Sequence, residues 1–178
     1  MTWRTHVAIG TNAIWLTVLF GRIDQSIVVL LPVAALASLL PDIDAVDAKI
    51  HYAAGGVLGI FKNSFHGKYF HHRGMMHSIL VMLIFFAILT IFFYNLYPLL
   101  PAVFALSYFS HSFIDGFNTS VGYLYPFNRK RFALLPRSLL TPVGGAADNL
   151  LLFLGLFGLL VYFALFAVNF IPTHSLVF

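Results

Sequence analysis

Phe70-His71-His72-Arg73-Gly74-Met75-Met76-His77-Ser78 sets three histidines and an arginine directly against a long apolar run that begins at Ile79. Imidazole is the commonest protein ligand for a transition metal near neutral pH, and arginine is the usual partner of a phosphate or carboxylate. Such residues at the edge of an apolar run read as half of a metal site at the end of a transmembrane bundle.

The whole chain supports that setting. Of its 178 residues, 60% are hydrophobic and 9% charged, against roughly 25% charged in a soluble domain. The mean hydropathy is +0.90. This is the composition of an integral membrane protein, and the length predicts a single domain, 1–178. There is no cysteine, so disulfides and thiolate ligands are excluded and a metal site must use His and carboxylate. The net charge of +4 is small and reads as membrane topology; no nucleic-acid partner is expected.

Five apolar runs lie near 5–21, 26–41, 76–95, 97–114 and 147–171. Each approaches or exceeds the ~17–25 residues that cross a bilayer core as helix. The expected fold is therefore all-α, an integral membrane bundle of about five transmembrane helices, with four as the lower count. The first run resembles a signal peptide only in having Arg4 before it. Ala35-Leu36-Ala37 falls inside the second run, so the first is read as mature protein. Turns at Arg22-Asp24-Gln25 and Tyr94–Pro98 are short and predict antiparallel hairpins. The connections 42–75 and 115–146 are long and polar, and Ala53 to Phe61 is expected to lie as a helix in the interface.

Threading five spans puts the N-terminus and both long connections on one membrane face. That face carries Arg4, Lys49, Lys62, Lys68, Arg73, Arg129, Lys130, Arg131 and Arg137, whereas the other carries Arg22. The positive-inside tendency makes the charged face cytoplasmic.

The same threading gathers His6, Asp42, Asp44, His72, His77, His111, Asp115 and Asp148 near that face. A lone aspartate or arginine at a helix centre costs about 2.5–3.5 kcal/mol. Placement at helix ends lowers the cost, and a shared divalent cation offsets more of it. His111 and Asp115 are four apart, so one helix face presents both. Asp42 and Asp44 follow Pro41, and an extended backbone there would point both carboxylates one way. His72 and His77 are separated by about 140° on an ideal helix, which predicts His72 on the loop, Gly74 at the junction and His77 in the first helical turn. Taken singly, these residues read more simply. His111–Asp115 is then a helix-capping hydrogen bond, Asp42 and Asp44 a solvated turn, and His6 and His174 interfacial side chains. His51 and His66 face water or headgroups, Asp47 is solvated, and Arg129 to Arg131 serve as a topology signal or meet lipid phosphate. Their convergence from five helices favours the metal.

Leu39-Leu40-Pro41-Asp42-Ile43-Asp44, His72-Arg73-Gly74-Met75-Met76-His77-Ser78 and Ser110-His111-Ser112-Phe113-Ile114-Asp115 closely resemble the YdjM-type family of bacterial and archaeal membrane-bound, predicted metal-dependent hydrolases. Gly122-Tyr123-Leu124-Tyr125-Pro126, Arg131-Phe132 and Pro136 extend the likeness. The family is in turn distantly similar to the helical zinc phospholipases C and zinc nucleases. The resemblance implies as metal ligands His6, one or both of Asp42 and Asp44, His72 or His77, and His111 with Asp115, and an inner-membrane or archaeal cell-membrane location. Relatives tend to carry glutamate where this chain has Asp148. Further histidines for a three-zinc site do not follow Asp115, so one or two ions, zinc or similar, are expected.

The expected chemistry is hydrolysis of a phosphoester in a membrane lipid or lipid-linked substrate by water activated at the metal. Asp44 or Asp148 takes the proton, and Arg73 steadies the anionic oxygens. The rival readings are a metal-ion or proton transporter, whose site belongs near the midplane, and a membrane protein with a structural metal clip.

Overall fold

A computed structural model describes residues 1–21, 26–44 and 73–170 of the chain. Helix α1, Trp3–Gly10, passes through a 3-10 turn, Thr11–Ile14, into α2, Trp15–Leu19. Helix α3, Ile27–Ala37, is followed by a 3-10 turn, Leu40–Asp44. A further 3-10 turn, Met75–His77, precedes α4, Ile79–Phe93, and then come α5, Leu100–Asp115, and α6, Ala146–Phe170. No strand occurs among the described residues, where β pairing is confined to the isolated Val121–Phe132 bridge. The turn at Arg22-Asp24-Gln25, the segment Ala53 to Phe61, and His51, His66, His72, Asp47 and His174 lie outside the described residues.

Within α6, Ala146–Val168 has 23 residues and a mean hydropathy of 2.6, long and apolar enough to cross a membrane. At about 1.5 Å per residue it reaches roughly 35 Å, against ~30 Å of hydrocarbon. The other expected spans are shorter as regular helix: α3 has 11 residues and α4 has 15. Apolar runs mark which residues leave water, whereas the hydrogen-bond ladder marks which coil. The two diverge where side chains compete for the backbone. The Thr11 hydroxyl donates to the Val7 carbonyl at 2.7 Å, and Thr17 donates to Ile14 at 2.8 Å; such back-bonding bends helices, and here the first run tightens to 3-10 between the two.

Contacts along the helices set their directions. Tyr108 donates to the Met76 carbonyl, Phe85 packs on Phe104, and Leu89 and Leu100 share the core, so α4 and α5 are antiparallel around the Tyr94–Leu99 connection. Ser107 donates to Ala34 and His111 pairs with Ser38, so α3 and α5 run the same way. Thr5 bonds Asp148 and Thr17 bonds Tyr162, so the α1–α2 segment runs parallel to α6. The start of α1, the end of α3, the starts of α4 and α6 and the end of α5 therefore meet at one end.

Small residues permit this packing. A Cβ on Gly155 would sit 2.8 Å from the Ala8 backbone, and one on Gly10 would collide with Ser38 and Ser107. Lipid gives helices little hydrophobic reason to associate, so close van der Waals approach and interhelical hydrogen bonds must serve. Asn12 supplies one, donating to the Gly155 carbonyl at 2.9 Å. Ile14, Leu30, Ala34, Val103 and Tyr162 form the core. Leu83, Ile91 and Phe92 of α4 and Phe153, Phe157 and Leu160 of α6 face outward, while Thr5, His6, Ser38, His111 and Asp115 are buried. Polar groups inside and large apolar groups outside is the arrangement a lipid solvent favours.

Candidate metal centre

The last turn of α5 projects His111 and Asp115 inward together, as their four-residue spacing predicts; they are 0% and 1% exposed. Asp42 comes from the turn after α3, and His77 from the turn before α4. One ligand atom from each of Asp42, His77, His111 and Asp115 lies within 4.8 Å of all the others, so the four are positioned to hold a metal ion. His111 Nε2 is 3.3 Å from Asp42 Oδ1 and 4.0 Å from Asp115 Oδ2. His77 Nε2 is 3.7 Å from each of Asp42 Oδ1 and Asp115 Oδ2. A tetrahedron built on bonds of about 2.0–2.2 Å has edges of roughly 3.3–3.6 Å. The four carboxylate–imidazole separations exceed those edges by at most a few tenths of an ångström, and the widest pair in the set is within 4.8 Å, so the side chains close by up to about 1 Å around an ion.

The tautomer of His111 shows why a cation belongs there. Its Nδ1 lies 2.6 Å from the Ser38 carbonyl oxygen. A carbonyl only accepts, so Nδ1 carries the proton and the neutral ring turns the Nε2 lone pair toward Asp42. Nε2 has no hydrogen-bond partner among the described residues. A buried lone pair facing a carboxylate calls for a positive charge between them. Backbone orientation of a ligating imidazole through its other nitrogen is the usual outer layer of a metal site. Burial pushes the Asp42 carboxyl up, yet the neighbouring imidazoles, His111 first and then His77 and His6, hold it below the usual carboxylate range.

Asp115 closes α5 at the negative end of the helix dipole, where an anion is disfavoured. Nitrogen-bearing groups crowd around it. Arg73 Nε donates to Oδ2 at 2.8 Å, and the Met1 amino group lies 3.1 Å from Oδ1. His6 Nε2 is 3.3 Å from Oδ1, and the His6 ring stacks on His111 with centroids 3.8 Å apart. His6 thus meets the cluster through the other oxygen of Asp115 and stands outside the four-residue set.

Arg73 reaches Asp115 from a left-handed backbone, φ 62°, a conformation costing roughly 1–2 kcal/mol for a residue with a Cβ. Gly74 stands at the junction as expected, at the N-cap of the 3-10 turn with φ −100° and ψ −108°, and the left-handed backbone falls one residue earlier. Gly122 N–H donates to the Arg73 carbonyl at 3.0 Å and helps hold it. His77 ends the 3-10 turn just before α4, rather than sitting in the first helical turn, and Ser78 caps α4 by accepting from the Val81 N–H.

The extended backbone expected at Asp42–Asp44 is corrected to a 3-10 turn. Proline fits the start of a helical turn because its missing N–H would lack a partner there anyway. The shared face expected of Asp42 and Asp44 does not follow from that backbone. Asp42 enters the cluster, and the Asp44 side chain, like His72, lies outside what the structure describes. Asp148 accepts from the Thr2 N–H at 2.9 Å, from the Gly144 N–H at 2.8 Å and from the Thr5 hydroxyl. It ties the start of α6 to α1 next to His6 and stands outside the four-residue set.

Sequence reasoning missed the Ser38 carbonyl, Thr5 and Tyr123. A backbone carbonyl leaves no trace in residue identity; Thr5 had only its place beside His6 to mark it. Tyr123 donates to the Ser112 carbonyl at 3.0 Å, and burial, then the Asp115 charge, push its phenol up to about 12.

No curated protein and no solved structure matches the chain. A family model described as YdjM inner membrane protein matches residues 1–171. With nearly its whole length matched and the three motifs converging at one end of the bundle, the chain belongs to the YdjM inner membrane protein family.

Proposed function

We propose that this protein is a membrane-embedded, metal-dependent hydrolase acting on a phosphoester of a lipid or lipid-linked substrate. The observation that carries the reading is the meeting of one ligand atom each from Asp42, His77, His111 and Asp115 within 4.8 Å of one another beside the Arg73 guanidinium. Two imidazoles and two carboxylates suit zinc or a similar ion. When bound, such an ion supplies Lewis acidity and makes hydroxide available near neutral pH. His6 orients Asp115 through Oδ1. Arg73, already paired with Asp115, offers its remaining N–H groups to a phosphate oxygen. Asp44, two residues past Asp42, takes the proton from water. Asp148 already accepts three hydrogen bonds and is the weaker base of the two. The helix directions support alternating threading, and on that reading the site lies at a leaflet surface, with the positive-inside tendency favouring the cytoplasmic side.

Metal content of purified wild type, His111→Ala and Asp115→Ala tests the reading. We expect about one ion or more per wild-type chain and loss in both variants, with lipid phosphoesterase activity lost in parallel. Near-zero metal in all three would end it.

One observation favours a structural metal instead. Four protein ligands fill a tetrahedral ion, whereas catalytic zinc keeps a position open for water. Cobalt substitution separates the two. An absorption band that titrates with pH and responds to phosphate marks an open position; an unresponsive four-coordinate spectrum marks a clip.

A further inference from the structure

The connection between α5 and α6 is stapled over the site end of the bundle. Val121 and Phe132 exchange two backbone hydrogen bonds of 2.9 Å, Leu134 N–H donates to Gly116 at 2.8 Å, and Ile79 N–H donates to Tyr123 at 3.0 Å. Between the bridged residues the chain runs out and back, and its outer part is both apolar and cationic. Phe127 is 85% exposed and Leu124 is 47% exposed, and Arg129 and Lys130 beside them are exposed as well. In water, an exposed phenylalanine forfeits the gain of burial, and adjacent cations repel one another. Where a bilayer's hydrocarbon meets its headgroups, both features fit: rings enter the acyl boundary and cations meet phosphate. The loop stands at the right level, because the start of α4 and the membrane-crossing stretch of α6 begin at the same end.

We infer that residues 124–130 dock into the headgroup layer of an anionic leaflet, with Phe127 at the acyl boundary and Arg129 and Lys130 on lipid phosphates. The inference stands on exposure and charge and does not depend on the hydrolytic reading. Because Gly122 and Tyr123 hand hydrogen bonds to Arg73 and Ser112, docking this loop fixes the depth of the metal cluster relative to the headgroups.

The absence of cysteine makes the test direct. A Leu124→Cys variant of the full chain is labelled with an environment-sensitive fluorophore and placed in nanodiscs of phosphatidylcholine, with or without phosphatidylglycerol. Headgroup-attached nitroxide lipids should quench the label more strongly when phosphatidylglycerol is present. Adding Arg129→Gln and Lys130→Gln should lower that preference roughly fivefold per charge, and Phe127→Asp should move the label into water, where iodide quenches it. Quenching that ignores both lipid composition and the charge changes would overturn the inference. So would a label open to iodide in every bilayer, the result expected if the loop meets a soluble protein partner.

Discussion

His111 Nδ1 and the Ser38 carbonyl oxygen lie 2.6 Å apart, and that contact decides which nitrogen of the ring faces the cluster. Nitrogen NMR of histidine-labelled protein in detergent should show a protonated Nδ1 at His111. Added zinc should shift its Nε2 resonance while Nδ1 keeps its proton. A zinc-induced loss of the Nδ1 proton would refute the assigned orientation.

Removing the metal should lower stability, because an ion held only by the folded state adds to it by mass action. Chelation followed by zinc at about 100 times its dissociation constant should restore roughly 2.7 kcal/mol. The check is the unfolding midpoint in detergent, with His111→Ala as the control expected not to respond.

At Arg73 the backbone and the side chain make separable contributions. Both Arg73→Ala and Arg73→Gly lose the 2.8 Å pairing with Asp115, so phosphoesterase activity should fall equally in the two. Glycine accepts φ 62° without a Cβ penalty, so Arg73→Gly should be about 1 kcal/mol more stable than Arg73→Ala. Equal stability would show that the left-handed backbone carries no strain.

Asp148→Ala strands donors at Thr2, Thr5 and Gly144. Thr5 is buried, whereas Thr2 is half-buried and Gly144 exposed, so water relieves the backbone donors and the expected loss is about 1–3 kcal/mol. Asp148→Asn keeps an acceptor and should recover most of it. Activity per folded molecule distinguishes the roles: a carboxylate that only positions α1 leaves it nearly unchanged in Asp148→Asn, whereas a general base loses it.

Gly155→Leu should separate α6 from α1, since the added side chain meets the Ala8 backbone. Overpacking of this kind costs about 1–3 kcal/mol. Thermal unfolding reads the cost, and Gly155→Ala should fall between leucine and wild type.

The placement of the chemistry was largely legible in the sequence. Aspartate and histidine are conspicuous in a chain with 9% charged residues, and alternating helix direction brings their segments to one end. The His111–Asp115 pairing follows from helical pitch alone. What escaped was local backbone. Proline is as much at home opening a 3-10 turn as in extended chain, so residue types leave the Asp42–Asp44 backbone open, and the structure makes it a 3-10 turn. Glycine marks permissive backbone, yet the left-handed residue beside Gly74 is Arg73, held there by contacts from residues some fifty positions away in the chain. The fourth and fifth apolar runs coil over nearly their whole length, whereas the first is broken into shorter helical pieces where threonine hydroxyls compete for backbone carbonyls.

The Tyr94–Leu99 connection lies at the far end of the α4–α5 hairpin from every residue of the cluster. An epitope or a fluorescent protein grafted into it would leave the chemistry undisturbed. Whether such a reporter lights up outside or inside an intact cell would reveal the sidedness of the candidate metal centre without touching Asp42, His77, His111 or Asp115.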